Sequence, residues 1–513
     1  MTEYKSQIRL KEIVDNLLLV NLFAVIFFAL FFIFAVIMQI NGIYIFLNFI
    51  QNIWNPLIVP LITILIVSSL VNGINSWWRL DGAQDRIEAI RQGDCHLRLV
   101  LPDGQTIPKE SVYSLSQTRH AFNFGGSLAS DWQAPKQDWY DDFKAQFANL
   151  FNYATIDFYW AVHEKEPGGW SYNTDSREKL NWAKAQGMTL RGHPLMWHEV
   201  LPDFMTDSER DTSAIEADIV RHVDRLLTNF PEIDEWDVYN EAPGIKWRGK
   251  KEGVRRWFES VGGPSEVTEK MLRMARSIHP DGRYILNHYT DLDVEYEESI
   301  EHCLLAGADF EVIGIQTHMH TEMDSIDEDR LWKALESYGR FGKPLHLSEI
   351  SILSCERFSD WDSFNAWKDK VDAYDARGQD RPTIPSTPDL ERYQAELARD
   401  FYTLAFSHPA VESIIWWTIT DLEPWRGMPA GLLDAEGKAK PAYHALDQLI
   451  NHEWNTQIEA STAQDGRTQF RGFYGSYTVT VQHEGETWTG EFDLRQGPLE
   501  VQNVVLRMAP DHG

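Results

Sequence analysis

The chain is poor in cysteine. Cys95, Cys303 and Cys355 are its only three, too few and too widely spaced for a disulfide framework or a zinc cluster, so they read as buried thiols. Positive charge is also scarce, with 47 Lys and Arg against 77 Asp and Glu and a formal charge of −30. Phosphate backbones would be repelled, which excludes nucleic acid as a partner. No glycine-rich phosphate loop follows any apolar run, and no Gly-x-Ser-x-Gly elbow presents a serine nucleophile. Nucleotide binding and serine acyl transfer fit poorly, and no cofactor is expected.

The longest absence is of charge itself. From Asn16 to Trp78, 63 consecutive positions carry none. Within them Leu17 to Met38 is apolar for more than the roughly 20 residues that cross a bilayer. That is too long for the core of a signal peptide, about 7–15 residues. A second run, Ile53 to Val71, has Pro56 and Pro60 in its first turns, with Trp77 and Trp78 placed as interfacial anchors. Residues 1–80 are expected to form a two-span transmembrane hairpin, the alternative being one span and an interfacial segment. Lys5, Arg9 and Lys11 before it and Arg79, Arg86 and Arg91 after it favour both flanks on the cytoplasmic side. Large domains can be translocated against that bias, so the chain is expected at the cell membrane with the face of its main domain left open.

Downstream, short apolar runs alternate with amphipathic stretches. Strand-like runs fall at 120–126, 151–157, 188–197, 235–241, 283–288, 311–316, 345–350 and 413–418. Helix-like segments such as 176–186, 214–229 and 391–406 separate them. Eight strands alternating with helices over about 330 residues fit a (β/α)8 TIM barrel, placed at 119–452. An open doubly wound sheet competes, but it lacks the phosphate loop. Residues 95–118 and 455–513 alternate like β-strands, with turns at Asp103-Gly104 and Gly485. Each is small for a core of its own. They are expected to pair as one discontinuous accessory β-sandwich.

In such a barrel, polar residues at the C-terminal ends of strands face the active site. Those ends supply His193, Trp197 and His198, then Asn240 and Glu241, then Asn287 and His288. Gln316, His318, Glu349 and Trp417 follow. Glu241 and Glu349 lie on opposite sides of the mouth. A retaining glycosidase needs two carboxyl groups about 5–5.5 Å apart, one protonated to release the leaving oxygen and one ionised to attack. Either glutamate alone would read as a structural ion pair; the two together, amid Trp, His, Asn and Gln, point to glycoside chemistry. His318-x-His320 lacks a third nearby ligand, so no metal is expected.

RGHPLMWH (191–198), WDVYNEA (236–242), GIQTH (314–318), LSEI (347–350) and WWTITDLEPWRG…GLLD…KPAY (416–443) together resemble glycoside hydrolase family 10. That is the (β/α)8 family of retaining endo-β-1,4-xylanases, and the resemblance covers roughly 120–450. It implies Glu241 as acid/base and Glu349 as nucleophile, with Asn240 on the sugar 2-hydroxyl. It further implies His193 and Trp197 at the −1 subsite, Gln316 and His318 on the nucleophile and sugar, and Trp417 and Trp425 as the sugar platform. His198, in the same motif, is taken as substrate-binding. The partner implied is a β-linked polysaccharide or oligosaccharide.

Departures from the family pattern bear on substrate. After the second barrel strand the family has Glu-Asn-x-x-Lys-Trp, whose Asn and Lys grip the −2 xylose. Here Ile156 and Tyr159 stand at the two gripping positions. Val200 and Phe204 replace a Gln and a Trp. Ser351 replaces an Asp that orients the active-site His. Asn287-His288-Tyr289-Thr290 replaces Asn-Asp-Tyr-Asn. The aromatic insertion 351–392 builds either a cleft wall or a self-packed surface loop. Xylan or another β-glycan is the expected substrate, and a membrane-anchored glycan-sensing protein with little hydrolysis is the alternative.

Overall fold

A computed structural model describes residues 24–64, 80, 82–129, 136–170, 174–246, 252–289, 292–322 and 327–509. The chain divides into two compact units, Met1–Gly82 and Ala83–Gly513.

In the first unit the helix Ala24–Ile40 is apolar, and residues 41–44 turn the chain into a second helix, Ile45–Ile53. A π-helical turn, Trp54–Ile58, follows. Pro56 has no N–H to donate to a preceding carbonyl, and the helix bends there. Among the described residues no single helix is long and apolar enough to cross a membrane. The segments Ile45–Ile53 and Pro56–Ile64, bent by 50°, pass that test only as a pair. The second helix thus begins eight residues before the expected Ile53, with Pro56 at its bend instead of in its first turn. Residues 17–23 and 65–71 of the expected spans, and Trp77 and Trp78, lie outside the described residues.

The second unit opens with the helix Ala83–Arg91 and strands β1 (Gln92–Val100) and β2 (Val112–His120). The barrel follows as β3 (Asn123–Ser127), β4 (Tyr153–Asp157), β5 (Thr189–His193), β6 (Glu235–Asn240), β7 (Arg283–His288) and β8 (Val312–Ile315). A two-residue strand β9 (His318–Met319), β10 (Leu345–Ile352) and β11 (Val411–Trp416) complete it. β3 to β8, β10 and β11 pair in parallel, and β11 closes on β3. These are the eight expected barrel strands. β9 pairs with the far end of β10, setting His318 opposite Ser351.

Helices cover the strands from outside, which is why β6 and β10 are buried at every residue. The helix Thr212–Asn229 shows how they pack. Its Asp211 cap accepts from the Ser213 N–H, and Ile215, Ile219, Val223 and Leu226 line its buried face. A methyl at Gly192 would strike the Trp236 ring at 2.3 Å, so only glycine lets β5 and β6 approach there.

The last strands are β12 (Gln457–Ser461), β13 (Arg467–Phe473), β14 (Gly475–His483), β15 (Glu486–Leu494), β16 (Val501–Val505) and β17 (Arg507–Met508). They do not pair only among themselves. β1 runs between β13 and β16, and β2 between β12 and β14. Leu97, Leu99 and Leu115 from the early strands share one apolar cluster with Tyr477, Val479, Val481, Phe492 and Leu506.

These sheets attach where barrel strands begin, the face opposite the mouth. Arg119 donates to the carbonyls of Gly187 and Asn152. Arg91 donates to the carbonyls of Phe406, His408 and Val411, each at 2.8 Å. His120 bridges the two parts, with Nε2 3.0 Å from the Ile450 carbonyl and Nδ1 3.3 Å from the Gln117 amide nitrogen. Both ring nitrogens are matched only while the ring is neutral, because a second N–H would face the amide donor. Burial pushes His120 down to about 4, against a smaller upward pull from the Ile450 carbonyl.

The folded value lies below the unfolded 6.5. Stability from this residue is therefore whole above pH 6.5 and falls as pH drops towards 4, by about 3 kcal/mol. Thermal unfolding from pH 7 to 4 will show the loss, and His120→Phe, which cannot titrate, will show a shallower one.

Candidate active site

β6 carries its side chains to the mouth and then breaks. Asn240 is its last residue, and Glu241 takes φ +59°, a left-handed conformation rare outside glycine and found where geometry is imposed. The Glu241 N–H is held by the Asn287 carbonyl at 2.9 Å, and its own carbonyl accepts from Gly244 N–H at 2.8 Å. The turn is thus fixed from both sides. Glu349 sits within β10, its N–H 3.2 Å from the Gln316 carbonyl. Each carboxylate is 4% exposed.

A chain of amides joins the two. Asn287 Nδ2 donates to Glu349 Oε1 at 2.7 Å and to Asn240 Oδ1 at 2.9 Å. Gln316 Nε2 donates to Glu241 Oε1 at 2.9 Å and reaches Asn240 Oδ1 at 3.3 Å. Trp197 Nε1 donates to Glu241 Oε2 at 3.2 Å. His318 Nε2 lies 3.4 Å from Glu349 Oε2. Gln316 therefore meets Glu241, whereas the family resemblance paired it with the nucleophile.

Below this layer lies a buried ion pair that the sequence reading passed over. Arg191 and Asp237 pair bidentately, Nε–Oδ1 at 3.0 Å and Nη2–Oδ2 at 2.6 Å. Arg191 Nη2 also lies 3.7 Å from Glu349 Oε1. His193 Nδ1 donates to Asp237 Oδ2 at 2.5 Å, leaving Nε2 free of that bond. Burial raises the Asp237 carboxyl, but Arg191 and His193 outweigh it and hold the group below the usual carboxylate range. The ligand atoms of His193, Asp237 and Glu349 lie within 4.8 Å of one another. The Arg191 guanidinium already supplies positive charge there, so the donor set does not fit a metal ion.

Aromatic rings line the mouth. Trp417 stands edge-on to His193 at 5.3 Å, and Trp425 lies 4.9 Å from His318. Tyr159, noted before only as a lost polar contact, lies 5.8 Å from both His193 and Trp197. Burial and the carboxylates of Asp157, Glu349 and Glu241 keep its phenol protonated well above the usual range. Ile156 is fully buried in the core. His198 is set apart: it is 1% exposed and its ring packs on Tyr239 at 6.1 Å.

The aromatic insertion turns inward beneath Trp425. Its helix Trp361–Asp375 places Phe364 against His320 at 5.4 Å, and His320 lies 5.3 Å from Trp425. Trp367 Nε1 donates to the Arg426 carbonyl at 2.8 Å. The insertion supports the tryptophan-bearing loop from behind.

Arg191 and Asp237 had a signal in the sequence: charges in the middle of runs otherwise apolar. Tyr159 stood out in the sequence only as a departure from the family pattern, because an aromatic just past a strand reads equally as core.

Comparison with known proteins places this geometry among relatives. The family model described as Glycosyl hydrolase family 10 matches residues 119–449, and a family of unknown function (DUF8620) matches residues 2–86. The anti-sigma-I factor RsgI6 of Acetivibrio thermocellus is 25% identical over 79% of this chain and 47% of its own length. Endo-1,4-beta-xylanase B of Thermotoga neapolitana is 25% identical over 55% of this chain and 75% of its own. The chain thus spans about half of the first relative's length. Among solved structures, native xylanase 10B from Thermotoga maritima aligns with a TM-score of 0.50 at 22% identity, covering 65% of this chain and 96% of that one.

Proposed function

The chain belongs to glycosyl hydrolase family 10, and from that membership we propose that it cleaves β-1,4-linked xylan or a related β-glycan by double displacement. Glu349 attacks the anomeric carbon while Glu241 gives its proton to the leaving oxygen. Glu241 then takes a proton from the water that releases the sugar. The observation that carries the reading is the pair of buried carboxylates just after β6 and within β10, joined through Asn240, Asn287 and Gln316. Asn240 is placed for a sugar hydroxyl, His193 for a second, and Trp417 and Trp425 for pyranose faces. His198 packs behind the acid/base loop and is assigned support.

We read β1, β2 and β12 to β17 as one discontinuous β-sandwich. Residues 1–80 are read as a membrane tether, on the strength of the charge-free stretch. A second reading, a tethered glycan sensor with little turnover, is favoured by the alignment of 79% of the chain with an anti-sigma-I factor.

Product analysis separates them. The full chain, incubated with a panel of β-linked oligosaccharides and polymers, is expected to release pentose oligomers detectable by mass. Release from another β-glycan alone would mean a change of specificity, with Tyr159 beside His193 and Trp197 as the residue to substitute next. Binding without any product would favour the sensor.

A further inference from the structure

Where the flanking sheets meet the barrel, on the face opposite the mouth, the second unit holds a cavity of about 660 Å³. Pro344 and Val411 line it at the starts of β10 and β11, Phe122 just ahead of β3, and Phe473 and Tyr474 where β13 ends. Small-molecule sites occupy roughly 300–1,000 Å³ and are apolar with a few convergent polar groups. Three cations reach this cavity, Arg91, Lys343 and Arg495, against one acid, Glu412. In a chain with 77 acids and 47 bases, the balance is locally reversed.

The acid has its own partners. Glu412 accepts from Arg283 Nη2 and lies 3.2 Å from His346 Nε2. Burial raises its carboxyl, but His346 and Arg283 outweigh that and hold it at about 2. Arg495 is 81% exposed at the rim and donates to Asp493 at 2.6 Å. Arg91 and Lys343 differ: among the described residues neither forms an ion pair. Arg91 has five N–H groups, of which Nε and Nη2 give three to the carbonyls of Phe406, His408 and Val411. The two on Nη1 remain. The guanidinium lies over the rings of Phe122 and Phe406 at 4.7 and 5.1 Å, which with the three carbonyls fixes its place. Lys343 gives one N–H to the Phe310 carbonyl at 2.7 Å and keeps two. Burial pushes the Arg91 guanidinium down to about 10, against an upward pull from Glu412.

We propose that this cavity binds a small organic carboxylate with a flat apolar body, its charge met by Arg91 Nη1 and Lys343 and its body by the phenylalanine walls. An inorganic anion would meet the same cations, but its other oxygens would face Phe122, Phe406 and Phe473, which cannot replace their water. Nor could Arg91 grip it bidentately, since both Nη2 protons are taken. An uncharged ring would fill the space and leave both cations without a counter-ion. A carboxylate on a ring answers both needs. The cavity lies away from Glu241 and Glu349, so the ligand has no part in the cleavage. By binding only the folded chain it stabilises the junction of barrel and sheets.

The test uses the full chain in detergent, with calorimetric titration and thermal unfolding in 2-naphthoate, 2-naphthamide, acetate and inorganic phosphate. Lys343→Met and Ala410→Phe, the latter filling the cavity from its wall, are measured in the same micelles, so heat from partition into detergent cancels. Naphthoate is expected to bind the wild type and raise its unfolding temperature, with the other three probes at least tenfold weaker. Lys343→Met is expected to weaken naphthoate about tenfold, the loss of one charge-assisted hydrogen bond, and Ala410→Phe to abolish binding. Naphthamide binding as tightly as naphthoate would show that the cations take no part. Phosphate binding as tightly would show a plain anion site. Either result overturns the proposal, as does naphthoate held equally by wild type and Lys343→Met or by neither.

Discussion

Glu349→Ala is expected to lower turnover of a β-glycan by roughly 10⁴-fold or more, because in the proposed mechanism it is the group that attacks the anomeric carbon. The second carboxylate gives the discriminating result. Glu241→Ala will lose roughly 10²–10⁴-fold on an ordinary glycosidic bond, where the leaving oxygen needs a proton. On a dinitrophenyl glycoside it will lose far less in the first step, since that leaving group departs as a stable anion. Added azide should then accelerate the second step in Glu241→Ala and give a product of retained configuration. In Glu349→Ala azide can only attack directly, so any product will be inverted. Steady-state rates with and without azide, with product configuration read by proton NMR, check both. Equal losses on both substrates for Glu241→Ala would remove it from the acid/base role.

The second large effect is on stability. Arg191 and Asp237 are both fully buried, so removing one strands the other's charge without solvent. Arg191→Met and Asp237→Leu are each expected to destabilise the fold by about 3–5 kcal/mol. The double variant is expected to lose less than either single change, because no charge is left unpaired. Denaturant unfolding of the three variants measures this as a coupling energy. The double variant should nevertheless be nearly inactive, since His193 would lose the Asp237 oxygen that fixes its tautomer. Single variants that unfold like wild type would show that the pair contributes nothing to the fold.

Much of this was legible before any coordinates. A parallel barrel buried on both sides turns its strands into apolar runs, and that pattern survives in a single sequence. Glu241 and Glu349 stood out because a polar residue ending such a run has few other uses. What escaped was of two kinds. Arg191 and Asp237 lie inside strands, where reading only the strand ends hides them. Their roles depend on which neighbouring strand they face, which sequence spacing does not state. The start of the second apolar helix at Ile45 was missed for a different reason: proline usually marks a helix start, and here Pro56 marks a bend. Likewise His198 and Trp197 are adjacent in sequence, but Trp197 meets Glu241 while His198 packs on Tyr239.

The interleaving of β1 and β2 among strands from the other end of the unit has a consequence for biosynthesis. About 340 residues must emerge from the ribosome between β2 and β12, which at 5–20 residues per second takes about 17–70 seconds. Through that interval Leu97, Leu99 and Leu115 lack the partners that Tyr477, Val479, Val481, Phe492 and Leu506 will supply, while the barrel strands between them and β12 emerge one after another. The barrel can close during translation; the flanking sheets must wait for its end. Nascent chains stalled near residue 450 should therefore be protease-resistant across the barrel and sensitive across β1 and β2.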